Sequence, residues 1–486
     1  MKKILYIAAL LLLCACGEAD IQIAKTTQEE VAIAPDYKDV TIPQNIAPLN
    51  FQTDLEGNTG LVISDGKTHI SVHAKDGVFH IPMKAWKELL AQNAGKDITF
   101  TVCQEKNGQW EGFKPFQMHV APEEADPYLA YRLLISCYGQ WNEMGIFQRD
   151  LSTYDETAIF ENKNTDHNCL NCHTFNERDP QTMLLHMRAK NAGTLLLKDG
   201  KMEKLNTKTD STMSALVYPF WHPTGDFIAA STNITVQTWF FNHPNTLEVF
   251  DTNSDVVVYD VKKHEIFSNL CLKNDSVMES FPTFSPDGKS LYYLSAPLIK
   301  MPEEFKNWKF SLCRIDFDPA TRKLGEKADT IFNANTTGKS VSFPKISPDG
   351  KLIVFGLQEY GNFSAWHKDC DLYAYRLSDG TIYPLTEANS DESESYHSWS
   401  SNNRWMVFSS RRGDGLNTRL YMTYIDKEGK AHKAFLLPQD NPIKYYSEQM
   451  EAYNLPEFVK GKVEMNQHEV ANLMKHTEGT NVTYSK

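Results

Sequence analysis

The chain has 486 residues and a formal net charge of −13, is 41% hydrophobic and 12% aromatic, and carries nine cysteines. That length accommodates two or three domains with sizeable cores, and the composition excludes a disordered chain. The acidic balance, without any Lys/Arg block, excludes a nucleic-acid-binding protein.

The first twenty residues, "MKKILYIAALLLLCACGEAD", join two lysines to an apolar run too short to span a bilayer, then to a small-residue site. Residues 1–15 read as a signal peptide. Leu13-Cys14-Ala15-Cys16 resembles a bacterial lipobox, which implies cleavage before Cys16 and lipidation of Cys16. A plain secretory signal is the alternative, and both export the chain. No later stretch reaches the ~18 apolar residues of a spanning helix. The expectation is a soluble body held in the cell envelope by a lipid, at the outer membrane, facing the periplasm or the surface. Residues 16–45, rich in Gln, Thr, Glu and Lys, read as a polar tether.

Residues 46–122 read as a small β-sandwich-like domain. "ITFTVCQEKNGQWEGF" alternates apolar and polar residues around Asn107-Gly108, a strong hairpin signal. "PMKAWKELLAQNAG" predicts one helix, opened by Pro82, with Trp86, Leu89 and Leu90 on one face and Gly95 at its end.

From 123 to about 440 the chain repeats. "YPFWHPTGDFIAAST" (218–232), "FPTFSPDGKSLYYLS" (281–295), "FPKISPDGKLIVFGL" (343–357) and "YHSWSSNNRWMVFSS" (396–410) share one grammar. An aromatic residue, usually followed by Pro, leads into a strand. A Ser-Pro-Asp-Gly-type turn follows, and then a second apolar strand. Third strands come next, such as "DVVVYDVKKHEI" and "DLYAYRLSDGTIYPL". The turn residues Pro223, Pro286, Pro348 and Ser401 are spaced by 63, 62 and 53 residues, so each unit carries insertions beyond the ~40–50 residues of common propeller blades. These repeats resemble TolB-type, WD-like propellers. Two further blades are expected at 127–151 and 182–205, which predicts a mainly β fold with a six-bladed propeller, seven being the alternative. A β-sandwich is the competing architecture. Residues 441–486 lack the repeat grammar and read as a C-terminal extension with a late helix.

Within this region lies "DHNCLNCHTF", residues 166–175. Cys169-X-X-Cys172-His173 is the attachment signature of c-type haem: two thiols at this spacing reach one edge of the porphyrin, and the next imidazole ligates the iron. Zinc would need a second ligand pair, which is absent, and a thioredoxin-like disulfide would need a βαβ context. The reading is one covalently attached haem c in a connection between the first two blades, 161–181. His173 is the proximal iron ligand. For the distal position His186 is favoured, with Met183 and Met187 as alternatives; His167 and His222 are further candidates, and an open iron is a further option. In "MLLHMR" read as a strand, His186 points away from Met183 and Met187, so only one set can face the haem. His222 and His397 occupy turn and Pro-equivalent positions and read as structural. Cys103, Cys137, Cys271, Cys313 and Cys370 remain, an odd set with no disulfide framework.

"DPYLAYRL", "WNEMGIFQRDL", "NCLNCHTF", "YPFWHPTGDFIAAST", "YHSWSSNNRWMVFSSRR" and "YNLPEFVKG" resemble exported Bacteroidetes lipoproteins that place one c-type haem in a TolB-like propeller. More remotely the combination is similar to the alpha subunit of hydrazine synthase, which implies a redox role. A single haem motif does not meet the needs of that multi-haem enzyme.

The first expectation is therefore a lipid-anchored cytochrome that transfers single electrons to or from an envelope protein docked on the propeller. The second is a haem oxidoreductase with an open iron site, with Arg188 or His167 as acid/base candidates. The third is a binding module in which the haem is a structural or sensing element, and Arg411, Arg412, Asp414 and Arg419 serve the inserted loop. Those four read equally as a solvated loop. No Ser-His-Asp set or phosphate loop stands out.

Overall fold

The computed structural model describes residues 20–135, 143–240, 242–243, 245, 247–301 and 303–485. The signal peptide, Cys16 and Cys137 lie outside the described residues. The protein is mainly β, and its described strands form eight sheets.

Two of these sheets make the N-terminal unit, a seven-stranded and a three-stranded sheet flanking one helix, Met83–Gln92. The helix buries Trp86, Leu89 and Leu90, the face that the sequence assigns to it. Trp86 donates its indole N–H to the Ile46 carbonyl at 3.0 Å, so its polar edge is satisfied inside the core. The predicted hairpin forms around Asn107-Gly108, with Lys106 opposite Gln109. The stretch read as a tether is corrected from residue 20 onward. Ile23–Thr26 pairs with Gln109–Gly112, Ile33–Ala34 with Phe51–Thr53, and Thr41–Ile42 with Phe116–Val120. The reason is that Ile21, Val31, Ile33, Tyr37, Val40 and Ile42 sit among the polar residues and are all buried. This core continues into the last repeat through Trp405, Val407 and Met422.

The other six sheets have four or five strands each, laid down in chain order with one exception. Tyr128–Ile135 takes its inner partner from the far end of the chain, pairing antiparallel with Glu451–Val459. The supposed C-terminal extension thus supplies a central strand, while Gln467–His476 forms the expected late helix. Thr480–Asn481 and Thr483–Tyr484 add parallel outer strands to two sheets.

The first strands of the six sheets are Glu451–Val459, Cys169–Phe175, Val217–Trp221, Val277–Phe284, Ser340–Ile346 and Glu394–Trp399. Each neighbours the next, and the last neighbours the first, so they close a ring. The arrangement is propeller-like. The haem-motif segment, expected as a connection, is one of these ring strands. It pairs with Met183–Arg188 over its full length, because Leu170 and Phe175 join an apolar layer with Met183, Leu185 and Met187.

The ring strands share one irregularity. Tyr218, Phe281, Phe343, Tyr396 and Leu455 have φ between 46° and 51°, a left-handed backbone that costs a bulky residue ~1–3 kcal/mol. Pro219, Pro282, Pro344, His397 and Pro456 follow them. A residue before proline is barred from the right-handed helical region, so the pair favours a break in the ladder. The register shifts at this point in the sheets begun by Val217, Val277, Ser340 and Glu394. In the sixth sheet the equivalent pair is Cys172-His173, next to the register shift between Leu170 and Cys172.

Candidate functional site

The broken positions converge on a cavity of about 400 Å³, within the usual range for small-molecule sites. Cys169, Cys172 and His173 all line it. Tyr218, Phe281, Phe343 and Tyr396 line it too, as a chain of rings with successive centroids 4.1, 4.4 and 4.9 Å apart. A long hairpin, Phe227–Trp239 with Leu247–Asp260, gives the cavity another wall through Thr235, Gln237, Leu247 and Val249.

His173 is 3% exposed, and neither ring nitrogen makes a hydrogen bond of ordinary geometry, the Leu455 backbone being its polar neighbour. Burial, helped by the Arg132 charge, pushes it down to about 3, so the imidazole is neutral and keeps a lone pair for a ligand. Cys169 and Cys172 are free thiols, the first partly exposed and the second buried. Burial pushes the Cys172 thiol up, while the Arg188 and Arg132 charges pull the other way. The motif strand is anchored by Arg132, whose guanidinium donates to the Leu170 carbonyl at 3.2 Å and the Asn171 carbonyl at 2.5 Å.

Charge in the cavity is one-sided. Arg132, Arg188 and Lys345 line it, against the single carboxylate of Glu457. Glu457 accepts from the Phe175 amide at 3.2 Å, and burial pushes its carboxyl up to about 7. Lys345 makes no ion pair with a described residue and stands 4.8 Å from the Phe220 ring.

The proposed second ligands lie elsewhere. His186 stands across the ladder from Cys172, but it is absent from the cavity wall, and its Nδ1 meets Thr194 Oγ1 at 2.9 Å. Met183 and Met187 are 1% and 0% exposed, packed in the apolar layer between two sheets. His167 is exposed on a left-handed turn. His222 is buried among Phe227, Phe284 and Phe317, with Nε2 on the Gly288 carbonyl at 3.0 Å. His397 does line the cavity; its Nε2–H donates to the Val354 carbonyl at 2.8 Å. Arg411 stacks on Trp366, Arg412 pairs with Glu394 at 2.8 Å, and Arg419 pairs with Asp414 at 2.7 Å, so that loop holds itself together.

Among the described residues no group of three or more His, Cys, Asp or Glu side chains is placed to hold a metal ion. Cys103, Cys271, Cys313 and Cys370 are free thiols. The aromatic and cationic lining was missed from the sequence. Aligning "CHTF" with "YPFW", "FPTF", "FPKI" and "YHSW" would have placed the motif on the ring and picked out the aromatic positions.

No family model matches the chain, and no curated protein matches it. Among solved structures it is similar to a puromycin hydrolase at 10% identity, covering 70% of this chain and 45% of that one, with a TM-score of 0.36. The chain thus spans less than half the length of that hydrolase. A periplasmic gluconolactonase of Pseudomonas aeruginosa is similar at 12% identity over 64% of this chain and 97% of its own, with a TM-score of 0.32. A DUF4784 family protein from Bacteroides caccae is similar at 7% identity over 74% and 95%, with a TM-score of 0.31.

Proposed function

We propose that this chain is an exported, lipid-anchored c-type cytochrome on a six-bladed propeller, with one haem in its central cavity. It passes single electrons to or from an envelope protein partner. The observation that carries the reading is His173: a neutral imidazole with both nitrogens buried and without a hydrogen bond of ordinary geometry, in the cavity that both motif thiols line. A buried polar group without a partner is expensive, so such a residue calls for a ligand. The ring of six first strands supports the blade count.

The residues fit the group. Cys169 and Cys172 would form the two thioethers, and His173 would ligate the iron. The aromatic rings would pack against the macrocycle. Bound there, the haem supplies a one-electron couple between ferric and ferrous iron. The protein's part is to keep the imidazole neutral and oriented and to exclude bulk water. Covalent attachment keeps the cofactor from being lost outside the cell.

A second reading, an oxidoreductase with an open iron position, is favoured by one observation: His186, Met183 and Met187 are all absent from the cavity wall. Expression with a haem-attachment system, followed by optical and EPR spectra with and without CO or cyanide, decides between them. Covalent haem with low-spin iron and no ligand uptake is expected for electron transfer. High-spin iron that takes up these ligands selects the second reading, and absence of covalent haem overturns both.

A further inference from the structure

The axis of the ring continues past the floor of the large cavity. A second cavity, of about 100 Å³, lies against it, and Thr174, Lys345, Ser398 and Glu457 line both. These four hold the same place in the repeat, third in "CHT", "FPK", "YHS" and "LPE", and they come from four successive strands of the ring. Phe220 and Thr283 hold that place in the other two strands, so the six make one layer around the axis. The far cavity opens among the half-buried Pro223, Pro286 and Pro348 of the Ser-Pro-Asp-Gly-type turns, with Arg178 and the exposed Glu177 at its rim.

This layer is polar, and its groups do not satisfy one another. Lys345 stands over the Phe220 ring at 4.8 Å, and no carboxylate of a described residue pairs with it. The Ser398 and Thr283 hydroxyls are buried without a hydrogen bond of ordinary geometry. Glu457 accepts from the Phe175 amide at 3.2 Å and the Thr174 hydroxyl at 3.4 Å. A polar cavity of this size holds several waters, and idle buried donors and acceptors bind them. We infer that the axis is a proton path, in which water in the far cavity passes protons through the Ser398 hydroxyl to Glu457 beside the haem cavity. The inference rests on the haem reading for the charge that drives it.

The balance is one for one. For each electron that the iron takes from an external one-electron donor, the Glu457 carboxylate takes one proton from solvent at the turn face, and on oxidation both leave. A charge gained in a cavity screened from bulk water raises the proton affinity of a carboxylate nearby. Burial already pushes Glu457 up to about 7, against the pull of the Lys345 and Arg178 charges. Arg132 and Arg188 lie further off on the large-cavity side, Glu177 at the far rim, and burial keeps His173 and His397 neutral.

Midpoint potentials of the haem-loaded mature chain, measured by spectroelectrochemistry, test the path. Below about 7 the potential should be level, because Glu457 keeps its proton in both redox states. Above that it should fall, with roughly half a proton or more taken up per electron. Glu457→Gln keeps an acceptor for the Phe175 amide, and its slope should shrink about fivefold. In Lys345→Met the fall should persist but begin about one pH unit higher, since the ammonium no longer holds the carboxyl down. Ser398→Val should keep the slope and slow proton uptake after photoreduction several-fold, read with a pH-indicator dye. A wild-type potential that stays level above 7, or an equal slope in Glu457→Gln, overturns the inference. So does an unmoved onset in Lys345→Met or an undiminished rate in Ser398→Val. If no covalent haem forms, the haem reading fails, and infrared difference spectra of the haem-free chain across pH 7 decide. A protonated-carboxyl band that titrates in wild type and is missing from Glu457→Gln supports Glu457 as the proton carrier; no such band overturns it.

Discussion

His173 and His397 hold the same place in the sequence repeat, second in "CHTF" and "YHSW", but His173 pairs with Leu185 in its ladder whereas His397 falls in the register shift between Ser395 and Ser398. Four other ring strands carry proline there. The two imidazoles differ in bonding as well: His397 donates Nε2–H to the Val354 carbonyl, whereas neither nitrogen of His173 makes a hydrogen bond of ordinary geometry. His397→Pro restores the common residue and loses one hydrogen bond. It should cost about 1 kcal/mol in denaturant unfolding and leave the haem spectrum intact. His173→Pro should lose the imidazole-ligated absorption of the proposed haem and also some stability, because this residue is paired in the ladder with Leu185.

His186 has a packing role in this structure. His186→Ala removes the contact with Thr194 and opens a void beside Leu184, costing about 2 kcal/mol. Its haem absorption should match wild type. A low-spin spectrum that turns high-spin in this variant would show the imidazole reaching the iron.

Glu248 and His367 latch the long hairpin to a sheet that is not its neighbour in the ring. Glu248 Oε2 meets His367 Nε2 at 3.0 Å, and Oε1 accepts from Tyr360 at 2.7 Å and from Asn245 at 3.2 Å. Glu248→Ala leaves His367 and Tyr360 buried without their acceptor and should cost about 3 kcal/mol. Hydrogen exchange should speed up in the outer half of the hairpin, 233–253, and remain slow in the ring strands. Burial pushes the Glu248 carboxyl up, but the hydrogen bonds from His367 and Tyr360 outweigh it and hold it below its ordinary value. The latch's contribution is therefore present above the unfolded value of 4.5 and lost as pH falls through the lower folded value.

Glu279 carries the opposite sign. It is 1% exposed with Oε2 unpartnered; burial, then the Asp255 charge, pushes it up to about 9. Its protonated form fits the folded state, so its contribution is complete below about 4.5 and declines as pH rises through about 9. Melting temperatures measured from pH 5 to 9.5 should fall more steeply for wild type than for Glu279→Gln, and the two curves should cross. Parallel curves would show that the carboxyl is ionised in the folded protein.

What could be read from the chain was local. The hairpin at Asn107-Gly108, the helix from Met83, the Ser-Pro-Asp-Gly repeats and the Cys-X-X-Cys-His motif each declare themselves within about fifteen residues. What could not be read depends on distant partners. Glu451–Val459 has Leu455-Pro456 in place of the repeat's aromatic-Pro pair, and its partner lies more than three hundred residues away. The strands before residue 45 are two to four residues long, too short to show periodicity. The motif strand lacks proline, so nothing tied "CHTF" to its sister repeats until the ring was seen. The cavity's arginines and lysine come from different sheets, and no spacing in one chain segment could announce them.

The pairing of Tyr128–Ile135 with Glu451–Val459 also sets an order of assembly. The strand that brings Leu455, Pro456 and Glu457 to the cavity is synthesised after the five others, long after Cys169 and Cys172. Until it docks, the thiols face an open trough and not an enclosed chamber. A guest bonded to them before that strand docks would enter through a side that the mature protein no longer has, and the dimensions of the finished mouth would then place no limit on its size.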